Sequence, residues 1–281
     1  MIGMKSAALC GAVASWLVAA LIAGTACAAE PPAGRLILAG SGSNLPLVRL
    51  LARSFQKSHP EVRIEVPASI GSSSGIRAAA NGAIAIGLIS RPLKETEKGL
   101  GLTVRHIART PMVIAVHPSV AEDAITSREL LDIYRCSKRT WKSGSDIIVL
   151  TREPGDSSIE VLVKGVPGFK EVYQESQQAK RWTTLLKDLV MNETLGKTAN
   201  AIGLSDLGAI TVERHPIKQL KFNGVAPTLK NLENGSYPLY KTLSFVFVPE
   251  KLHPAAAEFI AFARSKEGQR IMRANGYRPE G

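Results

Sequence analysis

The sequence predicts an α/β protein that folds into two lobes with a cleft between them. Apolar runs typical of strands alternate with segments whose apolar residues are spaced for one helical face. Loops rich in glycine and serine join several of these strands to the following helices. About 253 residues follow a predicted N-terminal signal, which is enough for two lobes of common domain size.

Residues 1–28 have the pattern of a secretory signal peptide. Lys5 precedes an apolar stretch, and residues 26–28 supply small side chains at the cleavage site. An uncleaved anchor is the alternative, but the stretch is short and rich in alanine and glycine for a spanning helix. Gly24 stands three positions before Cys27, where a lipoprotein signal has a larger apolar residue. We therefore expect export by a cleaved signal rather than lipid attachment.

The composition favours an anionic partner and argues against metal chemistry. The net charge is +11, and it is +10 without the signal, so anions are steered towards the protein. Nucleic acid is not expected as a partner, because export by the signal separates the protein from nucleic acid and the sequence has no long basic run. Cys136 is alone in the mature chain and the histidines are scattered, so we expect no disulfide, metal or cofactor.

The first part of the mature chain predicts a parallel α/β lobe. Its strand and helix patterns follow one another in βαβ order, as expected for parallel strands. The predicted elements are a strand at residues 36–39, a helix at 45–55, strands at 62–66 and 84–89, and between them a short helix that ends at residue 80 after a Gly/Ser loop at 70–75.

The second part repeats this pattern and then returns to the first lobe. The predicted elements are a strand at residues 111–116, a helix at 127–134, a strand at 147–151, helices after 158 and at 182–191, a return strand at 239–248, and helices at 254–264 and 265–275. We therefore predict that residues 29–115 and 240–281 form lobe one and that residues 116–239 form lobe two.

The loop at residues 40–44 is the first candidate anion site. It joins a strand to a helix, and Ser43 or Asn44 is placed to cap that helix. Free N–H groups at a helix start, aided by the helix dipole, bind anions. An ordinary capped turn is the alternative. Leu45 stands where a dinucleotide-binding fingerprint has its third glycine, so that fingerprint is excluded.

The loop at residues 71–75 is the second candidate and also the strongest argument for an enzyme. Ser73 lies at the centre of a G-x-S-x-G motif in a strand-turn-helix context, as in a hydrolase nucleophile elbow. Against a hydrolase, the chain has no HGGG-type oxyanion motif and the following helix is short. We expect Ser73 and Ser74 to donate hydrogen bonds to an anion, and we expect no enzymatic activity.

The third loop, residues 152–158, adds a permanent positive charge. The planar guanidinium of Arg152 matches two oxygens of an oxyanion. The alternative is a surface ion pair with Glu153 or Asp156. All three loops follow strands, and ligands of open α/β sheets lie at the carboxyl ends of the strands. The loops therefore converge on one predicted site.

Residues 35–281 resemble the periplasmic phosphate-binding proteins of ABC importers. The resemblance implies the type II periplasmic binding protein fold, with two crossover strands between the lobes. It also implies a monomer that captures inorganic phosphate in the periplasm for a membrane permease. The matching stretches are residues 40–46, 70–93, 152–158, 201–207 and 234–276. The residues that this resemblance places at the ligand are Ser43, Asn44, Ser73, Ser74, Arg152, Asp156, Ser157 and Ser158.

The chain departs from that family at positions whose residues discriminate between phosphate and other anions. Well-studied members carry a proton-accepting aspartate where this chain has Ser90 and Arg91, and Ser90 can still accept a hydrogen bond. Asp156 replaces a usual serine and Ser157 a usual glycine. Asp156 either faces the cleft as a substitute acceptor or caps the following helix.

Two alternatives to phosphate import stay open at this point. The anion is either phosphate or another one, such as sulfate, molybdate, tungstate or a phosphorylated small molecule. The protein serves either an importer or a sensory or adaptor module that uses the same cleft.

Overall fold

The structure is a computed structural model that describes residues 34–280, so the predicted signal at residues 1–28 lies outside the described residues. No helix within the described part of the chain is long and apolar enough to span a membrane. The α-helices of this part are α1 (Leu45–Ser58), α2 (Gly71–Ala80), α3 (Glu95–Lys98), α4 (Ser127–Arg135), α5 (Ser157–Gly165), α6 (Phe169–Gln178), α7 (Asp188–Lys197), α8 (Leu207–Glu213), α9 (Leu229–Glu233), α10 (Pro254–Arg264) and α11 (Lys266–Ala274).

The strands form one large mixed sheet and one small parallel pair. They are β1 (Arg35–Gly40), β2 (Arg63–Glu65), β3 (Ile86–Ile89), β4 (Thr103–Val116), β5 (Ala124–Ile125), β6 (Ile148–Arg152), β7 (Thr183–Leu185), β8 (Ala201–Asp206), β9 (Lys218–Gln219), β10 (Lys221–Phe222), β11 (Tyr240–Phe247) and β12 (Arg278–Pro279). The large sheet has the order β2-β1-β3-β11-β4-β8-β6-β7, with β9 and β12 also paired to β4, and β5 pairs with β10.

Parallel pairing at both ends of the large sheet agrees with the predicted βαβ order. β1 is parallel to β2 and β3, and β6 is parallel to β7 and β8. In the middle, β4 runs antiparallel to β11 through its first half and antiparallel to β8 through its second half. β4 and β11 therefore join the two parallel regions.

Local sequence explains where several helices begin. Thr126 accepts a hydrogen bond from the backbone N–H of Glu129, whose side chain accepts from the backbone of Thr126 in return. This capping box starts α4. In α1, the apolar residues Leu51 and Phe55 lie four positions apart and are both fully buried.

The buried side chains form separate cores that β4 connects. One core draws on residues 36–108 and 243–277, and another draws on residues 112–239. β4 contributes Ile107 to the first core and Met112 to the second. The predicted division of the chain into two lobes is compatible with these cores, and the predicted lobe boundaries stay a prediction.

Two predicted elements are wrong. Residues 71–75 are not a loop, because α2 begins at Gly71 and the serines form its first turns. Residues 182–191 are not one helix, because residues 183–185 form β7 and α7 begins only at Asp188. β7 pairs with β6, so a contact with a distant part of the chain overrides the local helical pattern.

Candidate anion-binding site

Several side chains of the candidate site, some predicted and some not, lie at the carboxyl ends of neighbouring strands. Ser41 follows β1, Ser90 follows β3, and Arg152 is the last residue of β6. Asp206 ends β8. Because β1 and β3 are parallel, and β6 and β8 are parallel, these ends meet along common edges of the sheet.

A chain of buried hydroxyl groups crosses between elements from distant parts of the sequence. The Oγ atoms of Ser41 and Ser90 lie 2.6 Å apart, and Ser90 Oγ donates to Ser157 Oγ at 2.9 Å. Ser72 Oγ accepts from the backbone N–H of Ser90 at 3.4 Å. Ser157 is the first residue of α5 and Ser72 lies in the first turn of α2. Hydroxyls and the starts of two helices therefore converge here, an arrangement that suits an anion site.

Beside these hydroxyls lies a group that we call the buried ionic cluster, formed by Arg152, Lys241, Asp156, Asp188 and Asp206. Arg152 Nη2 is 2.8 Å from Asp156 Oδ2 and 3.5 Å from Asp188 Oδ2. Lys241 Nζ is 3.8 Å from Asp188 Oδ1 and 3.7 Å from Asp206 Oδ2. The cluster has two cations and three carboxylates, so its formal charge is −1 when all are ionised.

The loop after β1 contacts this cluster through Ser43. Lys241 Nζ donates to Ser43 Oγ at 2.8 Å, and Ser43 Oγ donates to Asp188 Oδ1 at 3.3 Å. Asn44 donates instead to the backbone oxygen of Ser244 at 3.4 Å, and its own Oδ1 is buried without a partner among the described residues. Neither side chain caps α1. The predicted helix-capping role of Ser43 or Asn44 is therefore wrong.

Arg152 retains donors that no described residue uses. The residue is 3% exposed, so the ion pair with Asp156 that the sequence offered as the alternative is present but buried, not on the surface. Its Nε and Nη1 atoms are buried and have no hydrogen-bond partner within residues 34–280. A buried donor without a partner is costly, so these atoms point to an anionic ligand.

Charge and burial act against each other on the pKa values of the cluster. Burial alone would lower the pKa of Arg152, but the attraction of Asp188 and Asp156 outweighs it and raises that pKa. Burial alone would raise the pKa of Asp156, but Arg152, Lys241 and the N–H of Ser158 outweigh it and lower that pKa. Both groups are therefore ionised at neutral pH.

Asp156 caps the helix that follows it. Its Oδ1 accepts from the backbone N–H of Ser158 at 2.9 Å, while its Oδ2 accepts from Arg152. Of the two roles that the sequence allowed, helix capping is the one observed, and Asp156 also holds Arg152 in place. Ser158 follows within α5 and is 1% exposed.

The serines at residues 73 and 74 lie apart from this hydrogen-bond network. Ser73 Oγ accepts from Arg91 Nη2 at 2.8 Å, and Arg91 also forms an ion pair with Glu97. Ser74 Oγ accepts from Arg77 on its own helix. Within the described part of the chain, no histidine hydrogen-bonds to Ser73, so the nucleophile-elbow interpretation gains no support.

Sequence reasoning missed three members of the buried ionic cluster. Lys241 interrupts an apolar strand, and a lone cation in such a run was a usable signal. Asp206 is the last residue of the buried strand β8 and caps α8 by accepting a hydrogen bond from the N–H of Ala209. Asp188 had no local signal, because its partners lie far away in the sequence. No group of three or more metal-ligating side chains is suitably placed within residues 34–280.

Comparison with known proteins agrees with this geometry. The phosphate-binding protein PstS of Bacillus subtilis is 26% identical over 257 residues, which are 89% of this chain and 82% of that protein. The protein of the same name from Pseudomonas aeruginosa is 26% identical over 271 residues, or 88% and 83% of the two chains. These relatives confirm the resemblance that the motifs predicted.

A solved structure and a family profile also match this chain to periplasmic binding proteins. The putative phosphate ABC transporter substrate-binding protein of Clostridium perfringens, solved with bound phosphate, matches with a TM-score of 0.79 and 26% identity, over 88% of this chain and all of that one. The predicted periplasmic binding protein fold is thereby confirmed. The profile described as the PBP superfamily domain matches residues 25–267. The chain belongs to the PBP superfamily.

Proposed function

We propose that this protein captures inorganic phosphate and delivers it to an ABC importer. The observation that carries the proposal is Arg152, a buried guanidinium whose Nε and Nη1 atoms have no partner among the described residues. A guanidinium presents paired donors that fit two oxygens of a phosphate. The names of the relatives from Bacillus subtilis and Pseudomonas aeruginosa, and the bound phosphate of the Clostridium perfringens protein, favour phosphate over other oxyanions.

The chemistry is binding without bond making or breaking. Arg152, Lys241 and Ser43 supply donors, and the helix starts at Ser157 and Ser72 add hydroxyls and the positive ends of the helix dipoles. Each charge-assisted hydrogen bond contributes about 1.5 to 3 kcal/mol net. A handful of them suffices for micromolar or tighter binding after the cost of association.

We propose that the ligand holds the two lobes together. Ser43 belongs to the predicted lobe one, residues 29–115 and 240–281, and Arg152 belongs to the predicted lobe two, residues 116–239. An anion that contacts both lobes only when they close stabilises the closed form. The exported, closed protein would then present both lobe surfaces to the permease, and no nucleic acid or second copy of the chain is needed.

Calorimetric titration of the purified protein with phosphate, sulfate and molybdate tests this function. Phosphate should bind with micromolar or tighter affinity. Arg152→Ala should weaken phosphate binding at least tenfold, or about 1.4 kcal/mol, because it removes the main positive charge of the site.

Arg128→Ala is the matched control, because Arg128 is a highly exposed arginine of α4 whose ion pair is long, at 3.9 Å. That variant should bind phosphate as the wild type does. Circular dichroism checks that both variants fold. Unchanged phosphate binding by a folded Arg152→Ala protein would contradict the assignment of Arg152.

A further inference from the structure

The carboxylate of Asp188 contacts the same side chains that the proposed function assigns to phosphate, although it approaches Arg152 at Nη2 and leaves Nε and Nη1 without a partner among the described residues. Its Oδ1 accepts from Ser43 Oγ at 3.3 Å and lies 3.8 Å from Lys241 Nζ, and its Oδ2 lies 3.5 Å from Arg152 Nη2. We propose that Asp188 is a built-in competitor of the anion, whose carboxylate holds these donors and must leave them when phosphate binds. This inference rests on the proposed function.

The close approach of Asp188 to the loop after β1 supports this placement. A Cβ atom added to Gly42 would lie 2.1 Å from Asp188 Oδ2, so the carboxylate fits against the bare backbone of that glycine. Gly42 precedes Ser43 in the loop that the sequence predicted as an anion site. A negatively charged group from α7 therefore reaches into that loop.

The formal charge of the buried ionic cluster favours the departure of a carboxylate when phosphate binds. The buried ionic cluster has a formal charge of −1 when all its groups are ionised. Phosphate near neutral pH carries at least one further negative charge, and uncompensated charge is costly in a buried site. Moving one carboxylate into solvent returns the cluster with a singly charged phosphate to −1, the formal charge it has without the ligand.

Asp188 is the carboxylate that can leave most easily. Asp156 accepts from the backbone N–H of Ser158, and Asp206 accepts from the backbone N–H of Ala209. Asp188 accepts from no backbone N–H among the described residues. Its side chain is also the most exposed of the three, at 18% against 10% for Asp156 and 2% for Asp206.

The start of α7 is lightly packed, which allows Asp188 to move. Asp188 is the first residue of α7, and its neighbours Leu186, Leu189 and Val190 are 63%, 48% and 40% exposed. The first buried residue of the helix is Met191. The first turn can therefore shift without opening a core.

Titration of Asp188→Asn with inorganic phosphate tests the inference. The substitution keeps the size of the side chain and removes its charge, so phosphate no longer competes with a carboxylate. We expect phosphate to bind the variant at least tenfold more tightly than it binds the wild type, equivalent to about 1.4 kcal/mol. Asp188→Glu, which keeps the charge, should show no such gain.

Asp123→Asn controls for the general effect of removing a negative charge. Asp123 is 81% exposed and pairs only with Lys218 within residues 34–280. Removing such a surface charge should change phosphate affinity by less than about threefold. Circular dichroism reports folding, and Asp188→Ala offers the same comparison if the asparagine variant unfolds.

The outcomes separate this inference from the proposed function. Weaker or unchanged phosphate binding by folded Asp188→Asn and Asp188→Ala would overturn the competitor role, and weaker binding would make Asp188 a contact of the ligand. A wild type that binds no phosphate would reject the proposed function. If the wild type binds no phosphate but Asp188→Asn does, the result would still support competition by Asp188. If neither protein binds phosphate, both the competitor role and the proposed function are rejected.

Discussion

At the residue scale, two buried carboxylates near the same lysine differ in their proton affinity. The pKa of Asp156 is lowered, because the attraction of Arg152 and Lys241 exceeds the effect of burial. The pKa of Asp206 is raised to about 6, because burial exceeds the attraction of Lys241 and the hydrogen bond from Ala209. The direct ion pair of Asp156 with Arg152 accounts for the difference between the two pKa values, since within residues 34–280 the cation paired with Asp206 is Lys241, at 3.7 Å.

The raised pKa of Asp206 predicts a pH-dependent contribution to stability. Between about pH 4 and pH 6 the folded protein keeps a proton on Asp206 that the unfolded chain has lost, so rising pH destabilises the fold through this group. Asp206→Asn carries no such proton and can still cap α8. Relative to the wild type, the variant should therefore gain about 2 kcal/mol of unfolding free energy between pH 4 and pH 7.

Urea denaturation of both proteins at several pH values measures this difference. The exposed residue Asp146 provides a control, because Asp146→Asn should follow the wild type closely across the same range. A difference between Asp206→Asn and the wild type that is constant with pH would mean that Asp206 stays ionised in the folded protein.

Residue types in loops predict Arg152 and Ser43 as site residues, but they do not predict the side chains that contact them. A guanidinium at the end of a strand and a serine before a helix indicate an anion site by their own chemistry. Lys241 and Asp188 are 198 and 145 positions away from Ser43. Only folding brings such residues together, so their role could not be predicted from local sequence.

At the element scale, helix α2 approaches β1 so closely that it needs a glycine. A Cβ atom at Gly75 would lie 2.9 Å from the Cα of Gly40 and 3.0 Å from the backbone oxygen of Ala39. This close contact brings the first turn of α2, with Ser72, to the end of β3. The strand and helix patterns predicted this βα arrangement, but they placed the start of α2 too late. The serine-rich stretch resembles a loop, although serine is a frequent residue at helix starts.

Gly75→Ala tests this packing. Alanine favours a helix over glycine by up to about 1 kcal/mol, whereas overpacking against a rigid backbone costs about 1 to 3 kcal/mol. Because the contacts at Gly75 are with backbone atoms that cannot move independently, we expect a net loss of stability in urea denaturation. Gly99→Ala is the control, since nothing lies within 4 Å of the added atom and the backbone φ is −78°. A Gly75→Ala protein that is as stable as the wild type would contradict the close packing.

At the scale of the whole molecule, the site lies where separate cores meet. β4 contributes to both of the large cores, and Lys241 lies on its partner β11. Arg152 ends β6 and Ser43 lies in the loop after β1, and these two strands are on opposite sides of that pair. A ligand that contacts both Arg152 and Ser43 would therefore connect the two cores. The predicted division into two lobes implies the same connection.

Phosphate should therefore stabilise both predicted lobes together. Phosphate at a hundred times its Kd should raise the unfolding free energy by about 2.7 kcal/mol.

Trp141 and Trp182 are the tryptophans that follow the predicted signal, and both pack in the core of residues 112–239, so fluorescence reports lobe two. Circular dichroism reports helices of both lobes. With phosphate, the two transitions of the wild type should shift by the same amount. At the same phosphate concentration both transitions of Arg152→Ala should shift less, by about 1.4 kcal/mol or below. A shift in fluorescence alone would mean that lobe two holds the anion by itself, and the cleft between the lobes would then not be the binding site.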